Sequence, residues 1–147
     1  MLSGFGSRRM CMLTAAQKRT FITTRALAAS PLFMGGELTM TPDEDYALIT
    51  NEQILKCCMN GVTGRRIYMA NYIDVRKTPQ KDCRQKGWIG VFNRFTTPKV
   101  ARLSCAQLQI DANAKLYDIW NKKPMEQRNG SVEIKLDADD VCFVRYE

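Results

Sequence analysis

From Arg65 onward the sequence drops helical periodicity and alternates, and that change restricts the chain to few architectures. SVEIKL is the plainest instance, with Val132, Ile134 and Leu136 on one face of a strand and Ser131, Glu133 and Lys135 on the other. Arg66–Ile73, Trp88–Phe92, Val100–Ile110, Lys115–Trp120 and Val141–Tyr146 read as further strands. Asp111–Asn113, Asn129-Gly130 and Asp137–Asp140 supply turns. Strands at this short spacing imply an antiparallel β-sandwich or small barrel over residues 63–147.

The residues ahead of it differ in kind. After a Gly- and Ser-rich loop, Thr14-x-x-Gln17 is a capping-box start, and Ile22, Ala26 and Ala29 form a helical stripe that Pro31 ends. Pro31–Met34 is a short apolar run suited to a buried parallel strand, and Gly35-Gly36 permits a turn. Thr41-Pro42-Asp43-Glu44 and Thr50-x-x-Gln53 start two more helices, and Asn60-Gly61 closes this part. Helix, strand, loop and helix in that order is how (β/α) barrels carry their active-site loops, yet a whole barrel needs roughly 250 residues. The expected fold class is therefore an α/β remnant plus all-β. Residues 1–62 would be the last strand/helix units of a (β/α)8 barrel, and residues 63–147 a C-terminal antiparallel β-sandwich.

Composition removes several functions. The net charge is +7, from 22 Lys plus Arg against 15 Asp plus Glu. Its densest basic cluster, Arg76, Lys77, Lys81, Arg84 and Lys86, contains no aromatic residue and reads as a solvated loop. With no recognition helix or stacking motif, a nucleic-acid partner is not expected. No apolar run approaches the roughly 20 residues that span a bilayer, so a membrane is not expected either. The first 36 residues have the basic, acid-free composition of a transit peptide, but the capping box and apolar stripe leading directly into SPLFM favour a folded segment. Histidine is absent, which removes Ser-His-Asp and Cys-His catalysis within the chain. None of the six cysteines has C-x-x-C spacing, so they read as scattered, mostly buried thiols, and no metal or cofactor is expected.

Four motifs in collinear order then resemble one enzyme family. SPLFMGGEL followed by LITNEQIL resembles the end of the catalytic barrel in melibiase-type α-galactosidases and their α-N-acetylgalactosaminidase relatives. WIGVFNRF resembles a strand of their C-terminal β-sandwich, AKLYDIWNKKPM its hairpin, and VEIKLDADDVCFVRY its closing pair of strands. Met1-Leu2 ahead of Gly4-Phe5-Gly6 resembles the end of a further barrel motif whose sugar-binding aspartate would precede Met1.

This resemblance implies the C-terminal fragment of a retaining glycoside hydrolase that cleaves terminal α-galactosyl-type residues. Retention needs two carboxylates about 5 Å apart. The family carries both on earlier barrel strands, so no catalytic residue is assigned and the isolated chain is expected to be inactive. By the same resemblance Met1 and Glu37 are the substrate-binding candidates. Asp43, Glu44 and Asp45 read as helix-start acids, and Asp137, Asp139 and Asp140 as turn residues. Trp88 and Trp120 read as core, with stacking on a sugar as the other use. The expected partner is carbohydrate, bound through the complete enzyme, with a homo-oligomer through exposed barrel-remnant surface. The alternative function is a non-catalytic carbohydrate-binding or interaction module.

Overall fold

Thr14 starts the first helix as its spacing to Gln17 requires. Its hydroxyl accepts the Gln17 N–H at 3.2 Å, and the Gln17 side chain accepts the Thr14 N–H at 3.1 Å. The computed structural model describes residues 11–33 and 38–147. Met1 and Glu37, the two substrate-binding candidates, lie outside the described residues. The helices are α1 (Ala15–Leu27), α2 (Asp43–Ile49), α3 (Glu52–Met59) and the single turn α4 (Cys105–Leu108). The strands are β1 (Arg65–Ala70), β2 (Ile73–Pro79), β3 (Gly87–Asn93), β4 (Lys99–Ser104), β5 (Leu116–Asp118), β6 (Lys123–Met125), β7 (Ser131–Leu136) and β8 (Val141–Tyr146). No described helix is long and apolar enough to cross a membrane.

Six strands form one sheet in the order β1-β2-β3-β8-β5-β6, and β4 pairs with β7 in a second. All pairs are antiparallel. Val75, Ile89, Val91 and Val144 of the large sheet bury against Leu103, Val132 and Ile134 of the small one. The opposite face of the large sheet is apolar too, and the helices cover it. Trp88, Phe92 and Phe143 bury against Ile22, Ala26 and Leu27 of α1 and Ile54 and Cys57 of α3. WIGVF is thus an unbroken apolar run because β3 is buried on both faces, and each of its seven residues is buried.

Gly90 sets the distance between α1 and the sheet. A Cβ there would sit 2.6 Å from a methyl carbon of Leu27 and 2.7 Å from the Phe92 ring. Polar groups fix the end of the same helix, because the Leu27 carbonyl accepts the Gly64 N–H at 2.6 Å and the Thr78 hydroxyl at 3.1 Å. The Thr24, Arg25 and Ala26 carbonyls accept the N–H groups of Ala28, Ser30 and Ala29, so the sheet side satisfies the last carbonyl of α1, that of Leu27.

Several boundaries differ from the sequence reading. Arg66–Ile73 is a hairpin rather than one strand. Asn71 and Tyr72 both take positive φ, +49° and +65°, which is the mirror-image two-residue turn that suits strand twist. β2 continues through Arg76 and Lys77, which the reading placed in a solvated loop. Val100–Ile110 breaks at Ser104, whose side chain and that of Gln107 form a capping box that starts α4. Asn51, not Thr50, caps α3, accepting the Gln53 and Ile54 N–H groups at 2.9 and 3.2 Å. Pro42 rather than Thr41 precedes α2. The buried parallel strand expected over residues 31–34 is absent from its described part, where Phe33 is 83% exposed and no neighbouring strand pairs with it. A parallel strand needs flanking strands to satisfy its backbone, and none is offered here.

Gly90→Val forces the helices off the sheet, so urea unfolding is expected to show a loss of about 2–3 kcal/mol. An unchanged midpoint would contradict the close approach of Leu27.

Candidate functional site

The polar face of α1 is bolted to the turn between β7 and β8. Arg19 makes two parallel bonds to Asp140, Nε to Oδ1 at 3.1 Å and an Nη to Oδ2 at 2.7 Å. Asp140 Oδ1 also accepts the Val141 N–H at 2.8 Å. One residue on from Arg19, the Thr20 hydroxyl donates to the Asp139 carbonyl at 2.7 Å, and Gln17 Nε2 donates to the Asp139 carboxylate at 3.3 Å. The hydrogen bond with Asp140 holds the Arg19 guanidinium above its ordinary pKa, with burial opposing it. Asn93 closes the turn from the other side, because its amide donates to the Thr97 and Asp137 carbonyls, both at 2.8 Å. The last two strands lie in different sheets, so this turn crosses the sandwich and both layers depend on its clamp.

Beside the clamp opens a cleft of about 540 Å³, lined among others by Trp120, Asn121, Lys99, Lys135 and Asp137. Trp120 is half-buried, and its indole N–H donates to the buried Thr23 hydroxyl at 3.1 Å, which fixes the ring to α1. Asn121 is oriented by Asp118, donating its backbone N–H at 3.0 Å and its side-chain amide at 2.7 Å. Cys142 faces the same carboxylate, with Sγ 3.4 Å from Asp118 Oδ2. Burial first, and then the Asp118 charge, push that thiol well above its ordinary pKa, so it is no nucleophile. Burial likewise raises the Cys57 thiol.

The other sequence candidates fall elsewhere. Trp88 is buried and donates its indole N–H to Gln53 at 3.2 Å, so it packs in the core. Asp43 and Glu44 are exposed in the first turn of α2, while Asp45 is buried and paired with Lys18 at 2.6 Å. Asp74, in the strand the reading missed, is completely buried and receives Arg66 at 2.9 Å and Arg76 at 3.3 Å, with Arg94 at 3.9 Å. Each buried carboxylate among the described residues is thus held by a cation or by amide donors. No described group of His, Cys, Asp and Glu could hold a metal ion. Sequence reasoning singled out Trp120 and the Asp137–Asp140 turn but missed the Arg19–Asp140 pairing and the cleft, since Arg19 and Asp140 are 121 positions apart.

No family model matches the chain. An α-galactosidase from Cyamopsis tetragonoloba is 22% identical over 130 residues, covering 86% of this chain and 31% of that enzyme. Among solved structures, a GH27 β-L-arabinopyranosidase from Geobacillus stearothermophilus aligns at 25% identity and a TM-score of 0.86, over 99% of this chain and 33% of that one. A putative α-N-acetylgalactosaminidase from Bacillus halodurans aligns at 21% identity and a TM-score of 0.85, over 97% and 33%. The chain spans about a third of the length of each of these relatives. Its resemblance to the melibiase-type enzymes, read from four motifs, therefore holds, with coverage that fits a C-terminal part. The mostly antiparallel sheet with few helices matches their C-terminal domain.

Asp140→Ala strands the Arg19 guanidinium against the sandwich and is expected to cost about 3 kcal/mol in urea unfolding. A loss no larger than that of an exposed ion pair would show that the clamp is incidental.

Proposed function

We propose that this chain is the C-terminal part of a retaining glycoside hydrolase acting on terminal α-galactosyl-type residues. In this reading residues 1–62 continue a (β/α)8 barrel and residues 63–147 form the sandwich that buttresses it. The observation that carries the reading is the alignment of helices and sheets together, over 99% of the chain, with one third of a GH27 enzyme. The shared core of α1, α3 and the six-stranded sheet supports it, because it gives the β-domain a rigid attachment to the helical layer.

The outer surface of that layer supports it as well. Phe33, Tyr46 and Met59 are 83%, 53% and 77% exposed, an apolar set suited to further barrel elements rather than to water. In their absence the same face would pair copies of the chain. Glu37, at the family's Asp/Glu position, and Met1 would approach the sugar in the complete barrel. The chemistry requires a nucleophile and an acid/base about 5 Å apart across the glycosidic bond. The buried carboxylates described above are all committed to structural partners, so the reading assigns both catalytic groups to the remainder of the barrel. The names of the relatives span galactose-, N-acetylgalactosamine- and arabinopyranose-releasing enzymes, which differ in the substituents on a common ring. The sugar is therefore set by loops of that remainder.

The purified 147-residue chain, incubated with a chromogenic α-galactoside, is expected to show no turnover above buffer. Measurable hydrolysis would contradict the assignment of both catalytic carboxylates to other parts of the barrel.

A further inference from the structure

The cleft beside the Arg19–Asp140 clamp has a composition that structural duty does not account for. Its volume of about 540 Å³ lies in the range of small-molecule sites, roughly 300–1,000 Å³. Most of the charge around it is already committed. Arg19 is neutralised by Asp140, and the Lys99 ammonium lies 4.9 Å from the centre of the Phe95 ring. That leaves Lys135 and Asp137, one cation and one anion, both exposed and in neither an ion pair nor a cation–π contact among the described residues. Asn121 adds a side-chain amide that gives one N–H to Asp118, so its carbonyl oxygen remains as an acceptor and its second N–H as a donor. Trp120 contributes a large apolar surface whose ring is fixed by Thr23.

These groups select a class of ligand. An apolar molecule would bury Lys135, Asp137 and the Asn121 carbonyl without partners, at a cost of a few kcal/mol. A phosphate or sulfate would meet the Asp137 carboxylate, the anion of the lining that no cation neutralises. A sugar satisfies all of them, since each hydroxyl both donates and accepts while the C–H face of the ring lies on an indole. We propose that this cleft is a saccharide-binding site, taking an uncharged mono- or disaccharide against Trp120 with hydroxyl bonds to Asn121, Lys135 and Asp137. The proposal does not rest on the hydrolase reading, because it needs only residues within this chain.

Tryptophan emission reads it directly, since Trp88 is buried at 3% exposure and Trp120 lines the cleft. The full chain is titrated with melibiose, with galactose and with inorganic phosphate. A saturable change with either sugar, at millimolar half-saturation, is expected. The double variant Lys135→Ala/Asp137→Ala, shown to be folded by its melting curve, should bind about tenfold more weakly, the equivalent of one or two hydrogen bonds. If the double variant fails to fold, Lys135→Ala alone carries the comparison. No saturation with either sugar overturns the proposal. So does saturation that the variants leave unchanged, and so does saturation by phosphate alone.

Discussion

A strand that is apolar on both faces cannot end its burial at one partner layer. β3 presents Ile89 and Val91 to the small sheet and Trp88 and Phe92 to the helices, and β8 repeats the arrangement with Val144 and Phe143. Without α1 and α3 the large sheet would expose those aromatic residues to water, at about 25 cal/mol for each Å² of apolar surface. The helical layer is therefore part of the sandwich's own core. Gly90 and the Leu27 carbonyl make that contact specific, the first by admitting a side chain and the second by accepting two hydrogen bonds from the sheet side.

The polar clamps follow from this docking. Once α1 lies on the sheet, its Gln17, Arg19, Thr20 and Thr23 are carried to the β7–β8 turn and to Trp120. The turn crosses between the two sheets, so holding it fixes the small sheet relative to the large one. Asn93, in the FNR segment that pointed to the sandwich, serves the same turn from inside. A residue that looked like a family marker thus has a mechanical reason to be there. The cleft takes its walls from this geometry, bounded by the helix, the clamp and the ends of β4 and β7.

Much of this was legible in the sequence, and the failures have physical causes. SVEIKL was read correctly because one of its faces meets water, which leaves an alternating pattern for the eye. β2 was lost because its alternating positions carry Asp74, Arg76 and Thr78, whose burial or half-burial depends on partners in β1, after β3 and at the end of α1. The hairpin before it was hidden by Tyr72, which holds a left-handed conformation where glycine would have announced a turn. The turn α4 did carry its signal, since Ser104-x-x-Gln107 repeats the Thr14-x-x-Gln17 box that placed α1. An apolar alternation on both sides outweighed it. Of the clamp and cleft, only Trp120 and the Asp137–Asp140 turn stood out in the sequence, because no segment contributes more than a few of their residues.

The central claim is that α1 and the large sheet open together as one cooperative unit, and native-state hydrogen exchange tests it most directly. Amides in the middle of α1 and of β3 should exchange with the same opening free energy, equal to that of global unfolding. If α1 amides exchanged through a much cheaper local opening while β3 stayed protected, the helix would be an appendage and the account would be wrong.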